Sequence, residues 1–155
     1  MITDLAIRLA VPADAPAIAA MSRDYIEQGL PWSWQSQRIA RAIRDPNTNV
    51  AVAGRADALV AFGIMSYLET DAHLLLFAVH HDHRRTGIGS AVLRWLEEVA
   101  QAAGSKRIRV EARRDNTAAR HFYNEHGYHE RQIASAMYRD GVDGIRLEKW
   151  LRAQS

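Results

Sequence analysis

Apolar residues along this chain change their spacing several times, and each change marks the border of an element. Leu5 to Leu9 reads as a short strand. Asp14-Ala15-Pro16 opens a helix, because proline in the first turn lacks only an N–H that would be unpaired anyway. Ile18, Met21, Tyr25 and Ile26 share one face of it, and Gly29 closes it. A second helix carries Ile39, Ala42 and Ile43 and stops before Pro46. Val50 to Val52, Leu59 to Tyr67 and His73 to His80 then form a three-stranded meander, with turn chemistry at Gly54-Arg55-Ala56-Asp57. From Gly87 the period becomes helical, with Ile88, Val92, Trp95, Leu96, Val99 and Ala103 on one side and Gly104 as the stop. A strand from Ile108 to Ala112 follows, then a short helix capped by Asn116-Thr117 and ended by Gly127. Gln132 to Tyr138 and Ile145 to Leu151 read as two last strands around the turn-rich Arg139 to Gly144. The order βααβββαβαββ predicts one α/β domain over residues 1–155, a mixed and mostly antiparallel sheet with helices packed on it.

Composition changes this picture little. The 155 residues are 48% hydrophobic and 25% charged, which suits one soluble domain able to bury a core. Absence of cysteine excludes disulfides, thiolate metal sites and a cysteine nucleophile, and it agrees with a cytoplasmic setting. Met1-Ile2-Thr3-Asp4 lacks a basic segment leading into an apolar run, and the apolar stretches near Leu59 to Met65 and Leu74 to Val79 are too short to cross a bilayer, so no membrane partner is expected. The net charge is only +2. Arg107, Arg109, Arg113 and Arg114 lie along a strand-like segment without interleaved aromatics, the pattern of a solvated strand face rather than of a base-stacking surface. No nucleic-acid partner is expected.

The candidate chemistry begins at His81-Asp82-His83-Arg84-Arg85-Thr86-Gly87-Ile88-Gly89-Ser90, where two arginines and two glycines run straight into a helix. Glycines let the backbone approach a guest, and a helix N-terminus aims unpaired N–H groups at it, so the expected guest is an anion such as phosphate. An ordinary loop before a core helix has a similar look. The stretch is not a triphosphate-binding loop, since no lysine stands in it, and it fails the dinucleotide fingerprint because Val92 occupies the place of the third glycine. What remains is Arg84-x-x-Gly87-x-Gly89, with Asn116, Ala119, Phe122, Tyr123, Gly127 and Tyr128 downstream at N-x-x-A-x-x-F-Y-x-x-x-G-Y spacing.

Together these two motifs resemble the GCN5-related N-acetyltransferase superfamily, closely over residues 75 to 128 and in strand order over most of the chain. The resemblance implies a sheet whose fourth and fifth strands splay apart, and direct transfer of the acetyl group of acetyl-CoA to an amine in a ternary complex. It implies that Arg84, Arg85, Thr86, Gly87, Ile88, Gly89 and Ser90 cradle the pyrophosphate, and that backbone at Phe77, Ala78 and Val79 pairs with the pantetheine arm. Asn116 is expected to help hold the cofactor, a role compatible with plain helix capping. Tyr123 stands where the family places the tyrosine that protonates the departing thiolate, the alternative being a core aromatic. Glu111, twelve residues earlier, shares its spacing with the base of some ribosomal-protein N-terminal acetyltransferases; a strand carboxylate paired with Arg109 or Arg113 is the competing reading, and Glu69, Asp71, His73 and a water chain are further candidates for the base. Trp32 and Trp34 fall where relatives form a wall of the acceptor site, or else they anchor a loop on the core. No metal is expected at His80, His81 and His83, on the ground that neighbours on a strand point to opposite faces. A homodimer through the last two strands, with Ile133, Met137, Tyr138, Ile145, Leu147 and Trp150, is permitted. A non-catalytic acyl-CoA-binding module is the alternative function, with an arginine-mediated nucleic-acid binder a weaker third.

Overall fold

A computed structural model describes residues 6–138 and 140–151. Met1 to Leu5 and Arg139, parts of the expected leaderless start, first strand and final turn, lie outside the described residues. The elements are β1 (Ile7–Leu9), α1 (Ala15–Met21), α2 (Ser36–Arg44), β2 (Thr48–Arg55), β3 (Ala58–Tyr67), β4 (Asp71–Val79), α3 (Ile88–Ala102), β5 (Arg107–Arg113), α4 (Thr117–Glu125), β6 (His129–Ala134) and β7 (Gly144–Trp150). They build one sheet in the order β1-β2-β3-β4-β5-β7-β6, antiparallel except where β4 meets β5. Among the described residues no helix is long and apolar enough to cross a membrane.

Alternation along the strands supplies two cores. On one face, Ala61, Met65, Leu74, Val110 and Leu147 pack under Val92, Leu93 and Leu96 of α3 and Tyr123 of α4. On the other, Val50, Val52, Phe62 and Ile64 pack against Ile18 of α1 and Ile39 of α2. Gly63 lets α3 come close, since a Cβ there would stand 2.7 Å from a Leu96 methyl.

One irregularity shapes the centre of the sheet. Ile64 lies opposite Leu76 and Met65 opposite Leu74, so Leu75 is an extra residue on β4. Side chains alternate strictly only while the strand is regular, so the extra residue exchanges the faces. Ala72 and Leu74 enter the α3 core, whereas Leu76 and Ala78 enter the α1/α2 core. The parallel pairing with β5 runs from Asp71 opposite Arg107 to Leu74 opposite Val110 and ends at the bulge, although β4 continues to Val79 and β5 to Arg113. The two central strands therefore part.

The last strands differ from the expected Gln132 to Tyr138 and Ile145 to Leu151. β6 is His129–Ala134, and the chain then leaves the sheet. Ala136 takes a φ of 48° with its N–H given to the Asp143 carboxylate at 2.8 Å, and Met137 packs over Gly144, where a Cβ has no room. The apolar spacing of Ile133, Met137 and Tyr138 thus belongs to an edge strand followed by a folded loop. Ile145 and Leu147 are spent in the protein's own core, leaving Ile133 and Trp150 as the exposed apolar residues of this pair of strands.

Candidate active site

Where β4 and β5 part, a cleft of about 420 Å³ opens, lined by Leu74 to Phe77 on one side and Val110 to Arg113 on the other. Asn116, Ala119 and Tyr123 of α4, Tyr138 of the β6–β7 loop, and Tyr25, Ile26 and Gln28 complete the wall. Tyr123 and Glu111 therefore face one space.

The Tyr123 ring lies within 6.4 Å of Phe77 and 5.6 Å of Tyr128, centroid to centroid. Burial pushes its phenol well above the ordinary value, with Tyr138 adding to the effect, so the hydroxyl keeps its proton throughout the neutral range. The side chain is only 6% exposed and stands at the lining of the cleft, where its hydroxyl is a protonated donor.

Glu111 projects from the strand face opposite the α3 core, and its partner is neither Arg109 nor Arg113. His73 Nε2 lies 2.7 Å from Glu111 Oε1, joining β4 to β5 just before they separate. A carboxylate only accepts, so Nε2 is the nitrogen that carries the hydrogen, which leaves Nδ1 as the second ring nitrogen. Burial works against charge on Glu111, but the His73 bond and the charges of His73, Arg109 and Arg146 prevail and hold the carboxyl below its usual range.

At the far end of β4 the loop tightens into a short turn, His81–His83, then Arg85 at φ 64° and Gly87 at φ 89°, both left-handed. Successive residues of this kind turn their N–H groups toward one concavity. Gly87 is the N-cap of the 15-residue α3, and no side chain caps it. The first-turn N–H groups of Ile88, Gly89 and Ser90 are left without a side-chain acceptor, at the positive end of the helix dipole. Arg84 reaches back to the Val79 carbonyl at 3.4 Å and covers the Tyr25 ring at 5.5 Å, while Thr86 donates to the His83 carbonyl. Only the backbone of Ile88 faces the loop, because its side chain is in the core. Gly89 is buried rather than open: a Cβ there would lie 3.0 Å from Val79 and 3.6 Å from Phe122. The Ser90 hydroxyl is already engaged by His126 Nε2 at 2.8 Å, and His126 Nδ1 donates to the Phe122 carbonyl at 2.7 Å. Ser90 thus ties α3 to α4 with its side chain. Asn116 accepts the Ala119 N–H at 3.1 Å as the cap of α4 and lines the cleft as well.

Trp32 and Trp34 do not line the cleft. The Trp32 indole donates to the Ala19 carbonyl at 3.2 Å, and Arg38 lies over Trp34 at 3.8 Å, so both rings anchor a loop. The wall expected of them comes instead from the π-helical turn Ser22–Ile26 that follows α1. Glu27 holds that turn. Its carboxylate, 7% exposed, accepts from the Ser22 hydroxyl at 2.8 Å, the Ser33 N–H at 2.7 Å and the Trp34 N–H at 3.2 Å. Nothing in the one-letter pattern distinguishes an i,i+5 pair such as Ser22 and Glu27 from two residues on an ordinary helix.

Burial opposes ionisation of Glu27, but these donors outweigh it and its carboxyl lies below the usual range. A lowered native value makes its contribution to stability fully present above the unfolded value of about 4.3 and progressively lost as pH falls through the native one. Glu27→Gln is expected to cost about 2 kcal/mol at pH 7. Thermal unfolding of both proteins from pH 7 to 3 should show the difference shrinking at the acid end; a constant difference refutes the assignment.

The histidine turn also departs from expectation. His80 and His81 do not point to opposite faces; their rings stack at 4.6 Å, and with Asp82 they bring three potential metal ligands within 4.8 Å. His81 Nδ1 is 2.8 Å from the Tyr25 hydroxyl, which links this loop to the cleft wall.

A family model described as the acetyltransferase (GNAT) family matches residues 16–128, from α1 through the loop to the end of α4. The chain belongs to that family. An N-acetyltransferase of Methanocaldococcus jannaschii without assigned substrate is 36% identical over 80 residues, and the match spans about half of each chain, 51% of both. The ribosomal protein bS18-alanine N-acetyltransferase of Escherichia coli is 29% identical over 117 residues, covering 74% of this chain and 77% of that one. Among solved structures, Ard1 of Thermoplasma volcanium superposes with a TM-score of 0.85 at 24% identity, over 96% of this chain and 99% of that one, a likeness of fold.

Proposed function

We propose that this GNAT protein transfers the acetyl group of acetyl-CoA to a primary amine by direct attack within a ternary complex. The observation that carries the reading is the parting of β4 and β5, which sets Glu111, Tyr123 and unpaired β4 backbone around one cleft beside an uncapped helix N-terminus.

The residues fit the donor. A diphosphate needs converging N–H groups and positive charge, supplied by the Arg85-to-Ser90 backbone, the α3 dipole, Arg84 and Arg85. An extended amide-bearing arm needs a strand edge, supplied by β4 from Leu75 to Val79. Acetyl-CoA brings the thioester acyl group.

The chain's own residues then handle the protons. From the neutral amine the N–C bond forms and the C–S bond breaks, the nitrogen losing one proton and the departing thiolate gaining one from solvent; an ammonium first gives up a further proton. A lysine-like amine of pKa about 10.4 is neutral in fewer than about one molecule in a thousand at pH 7, a peptide α-amine in roughly one in ten. Glu111 accepts a hydrogen bond from the incoming amine and relays its proton to solvent through the cleft, while the Nε2–H of His73 behind it holds the carboxylate in place. A β4 backbone N–H near Phe77 to Val79 faces the oxygen that gains charge. Tyr123 donates to the sulfur. With no cysteine in the chain, no acyl-thiol enzyme intermediate is needed or possible.

CoA release from acetyl-CoA with a broad panel of amines tests the reading. Turnover with at least one amine is expected, and Glu111→Gln should lower it about 10²- to 10⁴-fold. Because the Glu111 carboxyl is held below its usual range and is ionised throughout the neutral range, the rise of wild-type turnover with pH should follow the pKa of the amine supplied. Tight acetyl-CoA binding with no turnover for any amine would select a binding module instead.

A further inference from the structure

Beside Glu111 the sheet carries a second groove, of about 380 Å³, on the face opposite the α3 core. Because Ile108, Val110 and Ala112 fill that core, Arg107, Arg109 and Glu111 must point the other way. The antiparallel register of β7 sets Arg146 opposite Glu111 and Glu148 opposite Arg109. A register shift in β6 between Glu130 and Gln132 leaves Arg131 as an extra residue, and it reaches the same groove. Four arginines thus meet across three strands.

They are not equally committed. Arg107 is bound by Asp71 at 2.7 Å and Glu148 at 2.8 Å, and Arg131 is held by Glu148 at 2.8 Å. Arg109 approaches Asp71 only at 4.0 Å, and among the described residues Arg146 has no ion pair. Both of these less committed cations act on Glu111, helping to hold its carboxyl ionised. They also repel any acceptor that arrives as an ammonium. An acceptor bearing its own negative charge turns that repulsion into attraction.

We infer that the acceptor is an amine carrying carboxylates seated on Arg109 and Arg146, and specifically a peptide N-terminus with acidic residues at its second and third positions. This rests on the transferase reading above. Neighbouring strands lie about 4.8 Å apart and same-face residues about 6.7 Å apart, so the anionic groups belong roughly 5–10 Å from the reacting nitrogen. A chain of several residues spans the groove from β5 across β7 to β6; a single amino acid does not.

The test compares peptides that differ only in Asp-Glu against Asn-Gln at positions two and three, with free glutamate as a small-molecule arm. Two readouts are taken: kinetics of CoA release, and calorimetric binding to the protein with and without CoA. The acidic peptide should be favoured on the order of tenfold in KM rather than kcat, and in Kd by a similar factor. The preference should shrink at about 0.5 M salt and vanish in the Arg109→Gln/Arg146→Gln double variant. Equal behaviour of acidic and neutral peptides, or a preference that survives the double variant, overturns the inference. A preference seen only with glutamate keeps carboxylate recognition and overturns the peptide. Absence of turnover with every acceptor counts against the transferase reading, and the binding arm still decides this one.

Discussion

Tyr123→Phe is expected to leave acetyl-CoA affinity nearly unchanged and to lower turnover with a validated amine about 10²- to 10³-fold. The ring contacts with Phe77 and Tyr128 survive the change, and only the hydroxyl is lost. Its raised pKa decides what kind of donor it is. A phenol pushed above its ordinary value by burial is a weaker acid than a thiol of pKa about 8.5, so complete proton transfer to sulfur runs uphill. Tyr123 acts by donating a hydrogen bond as negative charge grows on the sulfur, and the lost stabilisation resembles that of a missing oxyanion donor. Turnover at the wild-type level between pH 6 and 9 would return Tyr123 to a packing role. An equal loss of affinity and turnover would make it a cofactor-positioning residue.

Gly87→Val is expected to abolish measurable acetyl-CoA affinity, by more than about 100-fold, while the protein stays folded. Gly87 is exposed, caps α3 at φ 89°, and a β-branched residue tolerates that conformation poorly. The loop must then rotate its N–H groups away from their common focus. Calorimetry with acetyl-CoA, alongside circular dichroism to establish folding, checks both halves. Unchanged affinity in a folded variant rules out the cradle. Gly89 is a poor substitute for this experiment, because a side chain there would wedge Val79 and Phe122 apart and confound lost binding with lost packing.

Much of this architecture is legible in the residues, and what is not has identifiable causes. Helices α3 and α4 follow from apolar residues at helical spacing bounded by glycines and an Asn cap, and the glycine loop marks its own position. The β4 bulge is hidden because Leu74-Leu75-Leu76-Phe77 is apolar without a break, and a strand buried on both faces shows no alternation to interrupt. Glu111 was readable as a candidate, but its tie to His73 depends on a parallel register that only the folded sheet supplies. Trp32 and Trp34 drew attention as large aromatics in a loop; Glu27, which organises that loop, sits among helical residues and looks like any surface carboxylate. β6 ends earlier than the apolar spacing suggests, because folding over Gly144 spaces Met137 as a strand would.

The Leu75 bulge also determines which kinds of genetic change the cleft can survive. It is set by counting: one more residue lies on β4 between Leu74 and Leu76 than β3 has to match it. Replacing Leu75 by another residue alters a side chain and leaves that surplus intact. Removing Leu75 erases it and lets β4 run on in register with β5, while Phe77 and Val79 keep their face. The cleft is thus written in the length of the strand rather than in its letters, robust to substitution and undone by a single in-frame deletion.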